Sequence, residues 1–150
     1  MSRPSRDLYF IAIASVVATR ATCIRRAVGC VVVNDYSHII ATGYNGVASG
    51  LPHCINKPCL GAKCDSGTNL DKCEAIHAEA NALLQCTDTQ SINTIYCTTK
   101  PCTHCMKLIM CTSCKKIVYL DDYPDDTTNK LAKKASIALI KIKHSALDAL

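Results

Sequence analysis

Two short segments of this chain have to meet in space: His77-Ala78-Glu79 and Pro101-Cys102-Thr103-His104-Cys105. Together they offer one imidazole and two thiolates, the donor types that hold zinc, and a carboxylate that need not be a ligand. Three protein donors leave one tetrahedral position open, which marks a catalytic zinc rather than a structural one. The spacing also restricts local structure. Cys102 and Cys105 are three apart, so they share one face of a helical turn that begins just after Pro101. A helix N-terminus, with its free N–H groups and positive dipole end, favours thiolates there. Glu79 lies about 200° around an ideal helix from His77, so a shared helical face does not explain that pairing. The competing arrangement is a closed zinc site, with Cys86 or Cys97 as fourth donor and Glu79 on the surface.

The rest of the pattern alternates strands and helices. Arg6 to Thr22 reads as a buried helix. Val28 to Val33 and His38 to Thr42 are strand-length runs joined by the turn Asn34-Asp35-Tyr36-Ser37. Gly43-Tyr44-Asn45-Gly46 ends the second run. Residues 47 to 74 lose all apolar periodicity, and a stretch this long needs something to order it. Helices are expected at Cys73–Cys86, Cys102–Thr112 and Thr127–Ala135, and strands at Ile92–Thr99, Lys115–Leu120 and Ile137–Ile142. Such alternation implies a sheet covered by helices, an α/β/α sandwich. A chain of 150 residues with no repeat or linker reads as one domain spanning 1–150.

Twelve cysteines raise the possibility of a secreted disulfide scaffold. Arg3 and Arg6 before the apolar run Phe10–Ala18 imitate a signal peptide, but Asp7 interrupts the positive region and no cleavage pattern follows. The apolar run is also too short to span a membrane. Cysteines clustered with His and Glu point to metal in a cytoplasmic chain, that of a host cell if the source is viral. The net charge of +5 is dispersed, with the acidic run Asp121–Asp126 set against the lysines from Lys130 to Lys143. No continuous basic stripe marks a nucleic-acid binder, so a small anionic substrate fits better than a polymer.

The His-x-Glu…Pro-Cys-x-x-Cys signature is that of the zinc deaminases. From Arg20 to Ile142 the chain resembles the deoxycytidylate deaminases of the cytidine-deaminase superfamily, nearest a branch shared by phage and late-competence proteins. The resemblance rests on Arg20-Ala-Thr-Cys-Ile-Arg-Arg-Ala-Val-Gly-Cys30, Gly43-Tyr-Asn-Gly46, His53-Cys-Ile55 and His77-Ala-Glu-Ala-Asn-Ala-Leu83. It continues through Ile95-Tyr-Cys-Thr98, Pro101–Cys105 and Lys115-Lys-Ile-Val-Tyr119. It implies a three-layer sandwich on a mixed five-stranded sheet of the cytidine-deaminase type. It also implies hydrolysis of dCMP to dUMP and ammonia at a zinc-activated water, supplying dUMP for dTMP synthesis, with Glu79 moving the protons. By the same resemblance Asn45 binds the sugar 3′-hydroxyl and Arg25, or its rival Arg26, the 5′-phosphate. Tyr119 and Tyr123 fall near the base or sugar, and Thr98 and Pro101 line the pocket floor through backbone groups. Asn81 has either a site role or a helix-packing one.

Similar proteins carry a structural zinc between the Arg-Ala-Thr-Cys segment and the long loop. That makes Cys23 and Cys54 ligands, Cys59 and Cys73 the others, and Cys64 and His53 competitors. Cys30, Cys86, Cys97 and Cys114 read as small buried packing residues; Cys111-x-x-Cys114 has metal spacing, but spacing alone is weak and the pair is not read as ligands. A triphosphate ligand such as dCTP would bring Mg2+. The resemblance implies a homo-oligomer, commonly a hexamer. Members regulated by dCTP and dTTP carry an aromatic and an arginine where this chain has Gln85 and Asp88, so that regulation is not expected. The alternative functions are deamination of dCTP and a non-catalytic zinc-binding or nucleic-acid-interaction module.

Overall fold

The computed structural model describes residues 2–65 and 67–150. Five strands, β1 (Gly29–Asn34), β2 (Ile39–Tyr44), β3 (Ile92–Thr99), β4 (Lys116–Asp121) and β5 (Ala138–Lys141), form one sheet in the order β2-β1-β3-β4-β5. β1 runs antiparallel to both β2 and β3, whereas β3, β4 and β5 are mutually parallel. The sheet is therefore mixed. The helices are α1 (Arg6–Ala18), α2 (Ala78–Gln85), α3 (Thr103–Met110) and α4 (Thr127–Lys134).

The unbroken apolar run of β1 is explained by burial on both faces. Val31 and Val33 pack with Phe10, Ile11 and Ala14 of α1, and Val118 and Leu120 of β4 join them. Cys30 and Val32 point the other way, into a cluster with Ala78, Ala82, Met106, Ile109 and Ala132 of α2, α3 and α4. This is the three-layer α/β/α sandwich. Cys30, Cys97 and Cys114 belong to the second cluster and Cys86 packs against it, while Cys111 is exposed. In the β1–β2 turn the Asn34 side chain accepts from the Tyr36 and His38 N–H groups at 3.0 and 2.9 Å.

Two helix boundaries and one added element depart from expectation for tertiary reasons. α1 stops at Ala18 rather than Thr22, because Thr22 N–H donates to Asn45 O at 3.1 Å and ties the chain to the end of β2. α2 begins at Ala78 rather than Cys73, because Ile76 pairs instead with Gly46 in an antiparallel bridge. The C-terminal 3-10 turn His144–Ala149, absent from the sequence reading, sets Leu147 against the α1 side. The long irregular segment is held by scattered bonds such as Ile55 N–H to Thr22 O (3.1 Å) and Gly61 N–H to Lys72 O (3.0 Å). Among the described residues, no helix is long and apolar enough to cross a membrane.

Under α1 lies a polar network. Asp7 accepts from Tyr96 OH and from Lys116 Nζ, each at 2.8 Å. Burial, reinforced by the Asp7 carboxylate, holds the Tyr96 hydroxyl well above its ordinary value. The folded chain thus keeps this proton more tightly than the unfolded chain. The resulting stability is fully present below the ordinary tyrosine value of 10.0 and is lost as pH rises past it. Urea midpoints taken from about pH 8 to about pH 11 should fall for the wild type, with a shallower fall for Tyr96→Phe. Equal slopes would remove Tyr96 as the source.

Candidate active site

The two arms of the metal motif are built alike. His77 is the N-cap of α2 and Cys102 the N-cap of α3; both are extended, and neither makes a side-chain capping bond. Because His77 stands outside the helix, the helical angle between it and Glu79 does not apply, and both can face one cleft. α2 is seated by Gly43, whose backbone lies so close that an added Cβ would collide with Ala78 O and Ala82 N. α3 follows directly from β3 through Pro101, whose carbonyl accepts from Thr128 Oγ1 at 2.9 Å.

His77 Nδ1 lies 3.5 Å from Cys102 Sγ and 3.5 Å from Cys105 Sγ. All three donor atoms fall within 4.8 Å of one another. Tetrahedral zinc, with Zn–S near 2.3 Å and Zn–N near 2.0–2.1 Å, requires an N···S separation of about 3.5 Å, so the donors present fit that ion. Among the described residues the donor group contains these three only. Cys97 is fully buried beside its cross-strand partner Cys30 and lies outside the donor group, so it does not close the site. The Cys105 thiol, hydrogen-bonded to Cys102, pulls the latter down to about 4, with His77 contributing in the same direction. The same hydrogen bond raises Cys105 itself. The bond with Cys102 raises His77.

Glu79 is 4% exposed and lines the same cleft as His77 and Cys102. Burial raises its carboxyl above the ordinary range. The cleft, open to solvent, is also walled by Arg25, Arg26, Asn45, Tyr123 and Lys100. Asn45 Oδ1 accepts from Val28 N–H at 2.8 Å and its Nδ2 donates to Arg26 O at 2.6 Å. One amide N–H and one lone pair remain. Arg26 lies over the Tyr123 ring, 5.6 Å from its centroid. Its buried Nη1 has no hydrogen-bond partner among the described residues. Arg25 Nη1 is likewise buried without a partner among the described residues, but its Nη2 donates to the carbonyls of Asp65 and Thr68, so this side chain straps the cysteine-rich loop to the cleft rim.

Other expected residues fall outside. Thr98 Oγ1 accepts from Gly29 N–H at 3.1 Å and Tyr119 is buried in β4; neither lines the cleft. Thr99 and Lys100, at the exit of β3, take that wall instead. Lys100, 6% exposed, carried no sequence signal beyond its place before Pro101. Asn81 Nδ2 donates to Tyr44 O at 2.8 Å, a packing bond between α2 and β2. Gln85 and His53 line a second cavity with Thr22 and Tyr44, and Asp88 caps the turn that follows α2.

Cys23, Cys54, Cys59 and Cys73 neighbour one another beside the cleft but, among the described residues, do not form a donor group as tight as that of His77, Cys102 and Cys105. Cys54 Sγ lies 3.8 Å from Cys59 Sγ, and Cys23 and Cys73 form part of the cleft wall. A backbone donor from Glu74, helped by the Cys54 and Cys73 thiols, lowers Cys59. Burial raises Cys73, with the charges of Cys23 and Cys59 adding to it.

The model of the cytidine and deoxycytidylate deaminase zinc-binding region matches residues 4–121. The chain belongs to the cytidine and deoxycytidylate deaminase family. It is 40% identical over 144 residues to deoxycytidylate deaminase of Saccharomyces cerevisiae, covering 93% of this chain and 45% of that protein. It is also 40% identical over 125 residues to deoxycytidylate deaminase of Mycobacterium phage D29, covering 79% and 97%. The crystal structure of cyanophage S-TIM5 dCMP deaminase in complex with dCMP and dUMP superposes with a TM-score of 0.74. It covers 95% of this chain and 100% of that one at 24% identity, a likeness of fold. The chain spans less than half the length of the yeast relative it matches.

Proposed function

We propose that this chain, as one deaminase domain spanning 1–150, hydrolyses dCMP to dUMP and ammonia. The observation that carries the reading is the placement of Glu79: buried in the cleft, next to His77, Cys102 and Cys105, and outside the donor group. Zinc held by those three residues would acidify a water toward neutrality. The Glu79 carboxyl accepts the first water proton and delivers it to ring N3 as oxygen adds to C4. It then passes the second to the exocyclic nitrogen as the C4–N bond breaks, and ammonia leaves. Both water protons are thereby accounted for.

For the nucleotide, Arg26 is favoured over Arg25 as the phosphate partner: each has a buried Nη1 without a partner among the described residues, but Arg25 Nη2 is spent on loop carbonyls and Arg26 makes no such bond there. Asn45 offers its remaining N–H to the sugar, and Tyr123 borders the base or ribose. The reading includes a second, structural zinc at Cys23, Cys54, Cys59 and Cys73. It also includes a homo-oligomer in the cytoplasm, a compartment that suits twelve free thiols. A monophosphate substrate calls for no Mg2+.

Ammonia release from dCMP, dCTP, CMP, deoxycytidine and single-stranded DNA tests the assignment, with dCMP expected to lead. Arg26→Ala should raise KM for dCMP about 10–100-fold, the loss of one charge-assisted phosphate contact, and leave deoxycytidine unchanged. No turnover of any of them by zinc-loaded protein overturns the reading. Equal turnover of deoxycytidine and dCMP removes the phosphate contact from it.

A further inference from the structure

The N-cap of α3 poses a problem that the chain solves from elsewhere. An N-cap side chain ordinarily satisfies the free N–H groups of the first turn. Cys102 holds that position, makes no side-chain capping bond, and turns its sulfur toward His77. The first free donor, Thr103 N–H, is instead met by Asp125 Oδ2 at 3.0 Å, and Thr103 Oγ1 donates to the same oxygen. The other carboxylate oxygen accepts from Thr127 N–H at 3.0 Å, at the start of α4. One residue thus spans the starts of two helices. Three residues on, fully buried Thr128 donates to Pro101 O at 2.9 Å, so the segment before Cys102 is held from the same side. The hydrogen bonds from Thr103 keep the Asp125 carboxyl below the usual carboxylate range, so it remains an anion at neutral pH. An anion is the favoured partner for a helix N-terminus.

We propose that Asp125 is a positioning residue for the zinc site: from the β4–α4 loop its carboxylate fixes the first turn of α3, and with it Cys102 and Cys105, opposite His77 Nδ1. The loop it stands in also carries Tyr123, whose carbonyl accepts from Asp125 N–H at 2.7 Å and whose ring meets Arg26. The metal turn and the substrate wall are therefore set by one loop. Groups that orient metal ligands without touching the metal typically govern affinity by about 10–100-fold.

The proposal rests on His77, Cys102 and Cys105 holding zinc. Its test is zinc release from the holoprotein to a chelating chromophore, following the phase that His77→Ala abolishes. Asp125→Ala should release that zinc at least about tenfold faster. Asp125→Asn keeps an acceptor oxygen but not the charge, and should fall between the wild type and Asp125→Ala. Asp126→Ala, an exposed neighbour, should match the wild type. Any other order overturns the proposal, and if Asp125→Ala fails to fold, Asp125→Asn against wild type decides it. A wild-type protein with no zinc in that phase sinks the deaminase-site reading instead.

Discussion

Glu79→Gln is expected to keep zinc at wild-type stoichiometry and lose turnover of dCMP by about 10²–10⁴-fold, the usual worth of a positioned acid–base group. Zinc should stay because the donor group lacks Glu79, and the amide preserves the shape of the buried side chain. Turnover should fall because an amide can neither accept the water proton nor return it to the departing nitrogen. The pattern separates chemistry from folding, since thermal stability should change little or rise when a desolvated carboxyl is neutralised. Metal analysis beside an ammonia assay reads both halves. Retained turnover would end the proton-shuttle role, and lost zinc would place Glu79 among the ligands.

Gly43→Ala should carry a large structural effect at the site. The added methyl would collide with Ala78 O and Ala82 N and would lie 3.0 Å from Ala82 Cα. These are helix backbone atoms that no rotamer change can move aside. Overpacking ordinarily costs about 1–3 kcal/mol, and a rigid backbone obstacle places this case at the upper end or beyond. The same displacement should weaken zinc, because His77 stands immediately before α2 and ligand bonds tolerate about 0.2 Å. Denaturant midpoints and zinc titration are the readouts. Wild-type values in both would show that α2 is not seated by Gly43.

The sheet and its sandwich were legible because each strand run had the right length, and because the two-sided burial of β1 leaves an unbroken apolar signature. The metal donors were legible because His77, Cys102 and Cys105 need only their residue types and local spacing. What escaped the sequence depends on pairing across distance. Ile76 looked helical by composition, yet Gly46 claims its backbone. Arg25 and Arg26 are neighbours of one chemistry, and only the loop carbonyls at Asp65 and Thr68 tell them apart. Asp125 lay within an acidic run, and nothing local announces that it faces Thr103.

The sheet's mixed polarity has a consequence for where this protein can change. Because β1 runs against β2 and β3, the exits of β2, β3 and β4 and the entry to β1 share one edge. Asn45, Lys100, Pro101 and Tyr123 all follow from that edge. The opposite edge carries the turns around Asp35, Asp88, Ser113 and Ser136, none of which lines the cleft. One rim of the protein is committed to reactivity, and the turns of the other are where lengthening or tagging would leave the cleft residues in place.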